Sequence, residues 1–220
     1  MKSIFAFDFS INKPAMCAFI NNKFYFYTWP LNIDKKSYEI LNNCDVNIIN
    51  RDLSSIDKKK YDSHSLVLEH IKRSIQLVDL IISDIKELIS KNNIDINDII
   101  ISSEGLSYGS NGDATLNLAS YKQVFLNEIY KLGITNIKTY SPITIKSVAG
   151  CSKKNLLGKD KMIQAILTID DIEHNFIKTI KYNQDALKKK TSFVMTVDDL
   201  VDAFWCLQTT IVKENLNICV

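Results

Sequence analysis

A strong charge bias is missing from the chain: Lys and Arg total 27 against 25 Asp and Glu, a formal net charge of +2 over 220 residues. The uniformly basic surface of many nucleic-acid binders is therefore excluded. A local basic patch is not, because lysines gather in runs at 58–60, 153–154 and 188–190. Taken singly, each run reads as a solvated loop. The five cysteines, Cys17, Cys44, Cys151, Cys206 and Cys219, include no C-x-x-C pair, and the three histidines are too scattered for zinc-ligand spacing. Neither a disulfide framework nor a structural zinc site is expected, and a reducing compartment fits. Only six glycines are present, which leaves little room for the paired phosphate loops and duplicated domain of an actin-like ATPase. No apolar run is long enough to span a bilayer. The opening MKSIFAFDFS places an acid inside its short apolar stretch, with no small-residue cleavage site after it. It reads as a strand rather than a signal peptide. A soluble, cytoplasmic protein is the expectation.

The rest of the composition is that of a globular protein, 46% hydrophobic and 10% aromatic. It predicts one domain over residues 1–220, with insertions near 30–62 and 168–195. KSIFAFDFSI is apolar on both alternating faces, as a central strand covered on both sides would be. AMCAFIN, the turn Asn21-Asn22 and KFYFYTW complete an antiparallel meander. Leu68, Ile71, Ile75, Val78, Ile82, Ile85 and Ile89 recur at three- and four-residue steps, predicting a helix over 64–91 with one buried stripe. DIIISSEG follows as another buried strand, then a helix at about 113–132 closed by Gly133. NIKTYS is a strand, Pro142 can open a helix, and a last helix covers about 197–213. Residues 170–195, polar and lysine-rich, read as a mobile insertion. Strand–helix–strand units after a meander predict an α/β fold: three antiparallel strands, then parallel strands, with helices on both faces.

Four acids break this pattern. Asp8 sits where an apolar strand is about to leave the sheet, and a carboxylate buried there alone would cost several kcal/mol. Glu104 repeats the arrangement and is followed by Gly105, where a ligand or another chain segment can approach closely. If the two strands are neighbours, both acids emerge at the carboxyl edge where open α/β sheets place their sites. In VDDLVDAFWC, Asp199 and Asp202, three apart, share one side of the last helix, as would Asp198 and Asp202 at four apart, and Asp198 is the better candidate for the capping role. Each acid alone is a cap or a turn former. Carboxylates held together repel, and a divalent cation is the usual remedy. Oxygen-only ligation suits Mg²⁺ or Mn²⁺, and two such ions could clamp the attacking and leaving oxygens of a phosphodiester.

The segments FAFDFSINKPAMCAF, ISSEG, GDATLNLASYKQ, YSPITIKSVAGCSKKNLLGKDKM and DDLVDAF together resemble the RuvC family of Holliday-junction resolvases, within the ribonuclease H-like superfamily. The run Y-x-P-x-x-x-K-x-x-x-G, from Tyr140 to Gly150, is what singles out that family. The resemblance implies a crossover junction endodeoxyribonuclease with a ribonuclease H-like sheet and two Mg²⁺ ions per site, Mn²⁺ substituting. It makes Asp8, Glu104, Asp199 and Asp202 the metal-binding catalytic acids. It puts Lys146 and Lys159 beside the scissile phosphate and implies branched DNA as partner. Cutting both sides of a junction needs two active sites, so a homodimer is expected, and the helices at 64–91 and 113–132 could supply its interface. Lys153, Lys154 and Tyr108 are further candidate DNA contacts. Family members place an aromatic three residues after the second acid; here that position is Ser107, with Tyr108 next to it. The alternatives are a related nuclease acting on RNA–DNA hybrids or flaps, and a nucleic-acid-binding protein without catalysis. Heavy use of Asn, Ile and Lys points to an AT-rich genome, and with the inserts to a phage or viral origin and a host-cell cytoplasm.

Overall fold

The computed structural model describes residues 2–51, 56, 58–105, 112–151, 159–170 and 172–216. Its first three strands form the expected meander: β1 (Ser3–Asp8), β2 (Ala15–Ile20) and β3 (Lys23–Thr28), each antiparallel to the next. Asn21 and Asn22 make the tight turn with φ of 50° and 62°, the left-handed values that a two-residue hairpin requires and that Asn tolerates. The 30–62 insertion contributes α1 (Lys35–Asn42), capped by the Asp34 carboxylate on the Ser37 N–H, and β4 (Val46–Ile48), which adds to β3 in parallel. Next come α2 (Ser63–Lys91), β5 (Ile99–Glu104), α3 (Gly112–Lys131) and β6 (Ile137–Tyr140). They are followed by α4 (Pro142–Val148), opened by Ser141 and Pro142, and α5 (Lys159–Ala165). Last in order are α6 (Asn175–Tyr182), a short hairpin of β7 (Lys188–Lys189) and β8 (Ser192–Phe193), and α7 (Val197–Lys213).

The main sheet runs β4-β3-β2-β1-β5-β6, with β1 parallel to β5 and β5 parallel to β6. This is the mixed α/β sheet expected from the sequence, an antiparallel meander continued by parallel strands. Alternation along β1 sorts its side chains between two cores. Phe5, Phe7 and Phe9 pack with α2 and α3, whereas Ile4 and Ala6 pack with α4 to α7. Phe9 and Phe7 both meet Phe125 of α3, at ring separations of 4.8 and 4.9 Å. On the opposite face, Phe204 of α7 lies over Phe24 and Phe26 of β3. The Trp29 indole donates to the Asp84 carboxylate at 2.6 Å, tying the end of β3 to α2.

Two expectations fail. Residues 170–195 contain α6, whose Phe176, Ile177 and Ile180 are fully buried, together with a fully buried Leu187. Their apolar residues are too sparse for the sequence pattern to stand out among the lysines, but the sheet face recruits them. The stripe of α2 is also buried only in its second half. Val78, Ile82 and Ile85 lie in the core, while Leu68, Ile71 and Ile75 are about half exposed, at 53, 47 and 45%. Periodicity reports an apolar face but not what covers it.

Candidate active site

Parallel register brings the two strand acids together. Ile4 pairs with Ile100, Ala6 with Ser102 and Phe7 with Ser103, so the next residues of the two strands, Asp8 and Glu104, close them side by side. Both are even-numbered, and the period of two directs them to the face that carries α7. The Cys206 thiol of α7, 3.8 Å from the Ser102 hydroxyl, feels the charge of both acids. Burial first, and then these carboxylates, push that thiol up to about 12.

Glu104 is half-buried, and its carboxyl is held above the ordinary glutamate range. Loss of hydration is the larger cause, opposed by the nearby charges of Lys146 and Lys122. Lys146 stands exposed in the last turn of α4. Gly105 is closely approached by another chain segment. Its N–H donates to the Tyr140 carbonyl at 2.7 Å, and a Cβ there would meet that oxygen at 3.3 Å.

The helix acids sit differently. α7 begins at Val197 after Thr196, which has φ of 72° and makes no side-chain cap. A β-branched residue in that region is strained. Asp198 is therefore in the first turn instead of capping it, and its expected capping role is wrong. Asp199 is buried, at 6% exposure, and Asp202 is partly buried one turn on. The buried row of α7 includes Val197, Leu200, Val201, Phe204 and Leu207, all fully enclosed, and it fixes how the acids are turned.

Two lysines at this end of the sheet escaped the sequence reading. Lys122 of α3 is buried at 7% exposure, donates to the Glu104 carbonyl at 2.7 Å, and lies 5.7 Å over the Phe9 ring. It shares the helical face of Leu118, Tyr121, Phe125 and Ile129, and a lysine in such a row was the available signal. Lys13, in the β1–β2 turn, places its ammonium 2.9 Å from Asp199 Oδ2 and 3.5 Å from Asp198 Oδ1. Only five positions separate it from Asp8.

The donor set suits a hard divalent cation in kind, being made of carboxylate oxygens, and the Lys13 ammonium shows that the helix acids accept a cation. Yet among the described residues no three His, Cys, Asp or Glu side chains stand close enough together to hold a metal ion ready-made. Lys159 opens α5, but its side chain, along with Ser107, Tyr108, Lys153 and Lys154, lies outside the described residues. No helix among the described residues is long and apolar enough to cross a membrane.

No family model matches the chain, and no curated protein does. Solved structures that align along almost its whole length include two of RuvC. One is Thermus thermophilus RuvC in complex with a Holliday junction substrate, at TM-score 0.48 and 8% identity, covering 99% of this chain and 98% of that one. The other is Thermus thermophilus RuvC, at TM-score 0.46 and 10% identity, covering 98% and 97%.

Proposed function

We propose that the chain is a divalent-metal-dependent endonuclease that nicks branched DNA, four-way junctions above all, by water attack on a phosphodiester. The observation that carries this reading is the meeting of Asp8 and Glu104 at the ends of adjacent parallel strands, beneath the helix that supplies Asp199 and Asp202. Bound Mg²⁺ or Mn²⁺ ions would supply an activated water and a counter-charge for the departing oxygen. Asp8, Glu104, Asp199 and Asp202 would hold them. The chain's own share is otherwise electrostatic. Lys146, and with it Lys159, would neutralise charge gathering on the phosphate as the bond breaks. Lys122 holds the Glu104 backbone carbonyl and adds positive charge near that carboxylate. The motif resemblance supplies the junction as substrate class.

Two-sided cutting of a junction needs two sites, and a homodimer answers that need. Support comes from α2, where Val67, Leu68, Ile71 and Ile75 expose large aliphatic side chains within about two to three turns. Ile71→Glu is expected to leave a folded monomer in sedimentation analysis. An unchanged dimer would remove α2 from the interface.

A second reading, nucleic-acid binding without catalysis, is favoured by the lack of a ready-made triad of ligands among the described residues. A substrate panel separates the two. Labelled four-way junction, flap, RNA–DNA hybrid and linear duplex are incubated with the protein in Mg²⁺, Mn²⁺, Ca²⁺ or EDTA. The nuclease reading expects junction nicks in Mg²⁺ and Mn²⁺ only. Junction binding with no nick in any metal would establish the binding reading instead.

A further inference from the structure

Lys13 is held too firmly, and at too particular a place, to be a solubilising side chain. Its backbone N–H donates to the Ser10 hydroxyl at 3.1 Å. The neighbouring turn carbonyls are pinned as well: Ile11 and Asn12 accept from the Arg51 guanidinium at 2.7 and 3.0 Å, and Asn12 also from the Leu31 N–H at 2.7 Å. From this fixed turn the side chain reaches across the end of β1 to the first turn of α7. There it sits against both Asp198 and Asp199. Asp199 is the more enclosed partner, its side chain 8% exposed against 22% for Asp198, so the ammonium lies closest to the acid least able to draw counter-charge from solvent.

The same lysine has somewhere to go. Its side chain is 31% exposed and borders a cavity of ≈ 450 Å³ shared with Gln164, Gln184, Lys188 and Asp198. That space, which Asp198 borders and Asp199 does not, gives the ammonium room to leave Asp199 without disturbing the turn that carries it.

We infer that Lys13 is a built-in counter-cation of the helix acids that competes with a divalent ion for Asp199, and so sets how tightly the site takes up metal. This rests on the reading of Asp199 as a metal ligand. The logic is mass action between two cations for one carboxylate. The ammonium must leave, or be pushed aside, before Asp199 can give both oxygens to a metal, and its charge repels the incoming ion until it does. The device keeps a pair of adjacent acids compatible with a packed helix start and lowers metal affinity in return.

Mn²⁺ binding to the full chain, followed by electron paramagnetic resonance without DNA, tests this in wild type, Lys13→Met and Lys13→Arg. Lys13→Met is expected to bind Mn²⁺ about tenfold more tightly, a change of about 1.4 kcal/mol. Lys13→Arg, which keeps the charge, is expected to stay near wild type. In EDTA, Lys13→Met should melt about 2–4 °C lower, and saturating Mn²⁺ should remove that deficit. A measurement on the unmutated chain does not depend on how the variants fold. Acylation of Lys13 by an amine-reactive ester, read by mass spectrometry, should speed up when Mn²⁺ is added, because the ammonium is released. Unchanged or weaker Mn²⁺ binding by Lys13→Met, or unchanged labelling with Mn²⁺ bound, would overturn the inference while leaving the metal site itself standing. No Mn²⁺ binding by any of the three proteins would remove both.

Discussion

Asp8 and Glu104 close two hydrogen-bonded parallel strands, whereas Asp198 and Asp199 open a helix that packs on those strands, and Glu104 and Asp199 are made tolerable by different means. Glu104 relies on charges set back from it. Glu104 keeps a raised pKa despite Lys146 and Lys122, because burial outweighs both. The helix acids have a cation in contact, Lys13 at 2.9 and 3.5 Å. A carboxylate that is desolvated and only distantly compensated is destabilising for the fold and ready for a stronger partner. A carboxylate with an ion pair in place is stable, and must exchange that partner to do anything else.

Removal of a strand acid should show the difference most sharply. Glu104→Gln or Asp8→Asn is expected to lower single-turnover junction cleavage by about 10³-fold or more, equivalent to about 4 kcal/mol. Junction binding in Ca²⁺ should hold or improve, since repulsion of the phosphates falls. Lost cleavage together with lost binding would indicate a damaged fold instead. Lys122→Met comes next. It strips the buried Glu104 carbonyl of its donor, and is expected to cost about 1–3 kcal/mol in denaturant unfolding and to slow cleavage with little change in junction affinity.

The pH response separates the pairs in another way. Because the folded-state pKa of Glu104 is raised, the folded chain still holds a proton at pH values where the unfolded chain has lost it. Stability contributed by that proton is present below the ordinary glutamate range and is lost as pH climbs through the raised value. Glu104→Gln should therefore melt above wild type at neutral pH, by about 2–4 °C, and level with it in acid. Equal melting temperatures at both pH values would mean that burial does not govern this carboxyl. Smallest of all is Asp198→Ala. Its partly exposed pair with Lys13 is worth under about 1 kcal/mol, and cleavage should stay within about threefold of wild type. If Asp198→Ala stops cleavage and Asp199→Asn does not, the helix is turned the other way.

What could be read from the sequence divides along the same physical lines. Strand acids are conspicuous, because a carboxylate ending an apolar alternating run violates the local pattern, and Asp8 and Glu104 stand at the strand ends where that reading put them. The meander and the long helix followed from period and short turns. Cations were less legible. Lys13 lies in a turn, where lysine is ordinary, and its reach to Asp199 depends on how α7 packs over β1. Lys122 could have been noticed as the one charge in an apolar helical row. Asp198 was misread because acids in a first turn usually cap or favour the dipole, and only the strained Thr196 reveals where the helix begins. α6 was missed since its burial is decided by a sheet face assembled from distant segments, and the exposed half of α2 because amphipathicity does not name a partner.

The central claim is that carboxylates from two strands and one helix form a single cation-binding centre. A crystal soaked in Mn²⁺ and measured at the manganese absorption edge tests it most directly. The account predicts anomalous peaks at about 2.0–2.3 Å from carboxylate oxygens of Asp8, Glu104 and the Asp199–Asp202 pair, with the Lys13 ammonium moved off Asp199. Peaks found only elsewhere on the surface, or none, with Lys13 still on Asp199, would contradict it.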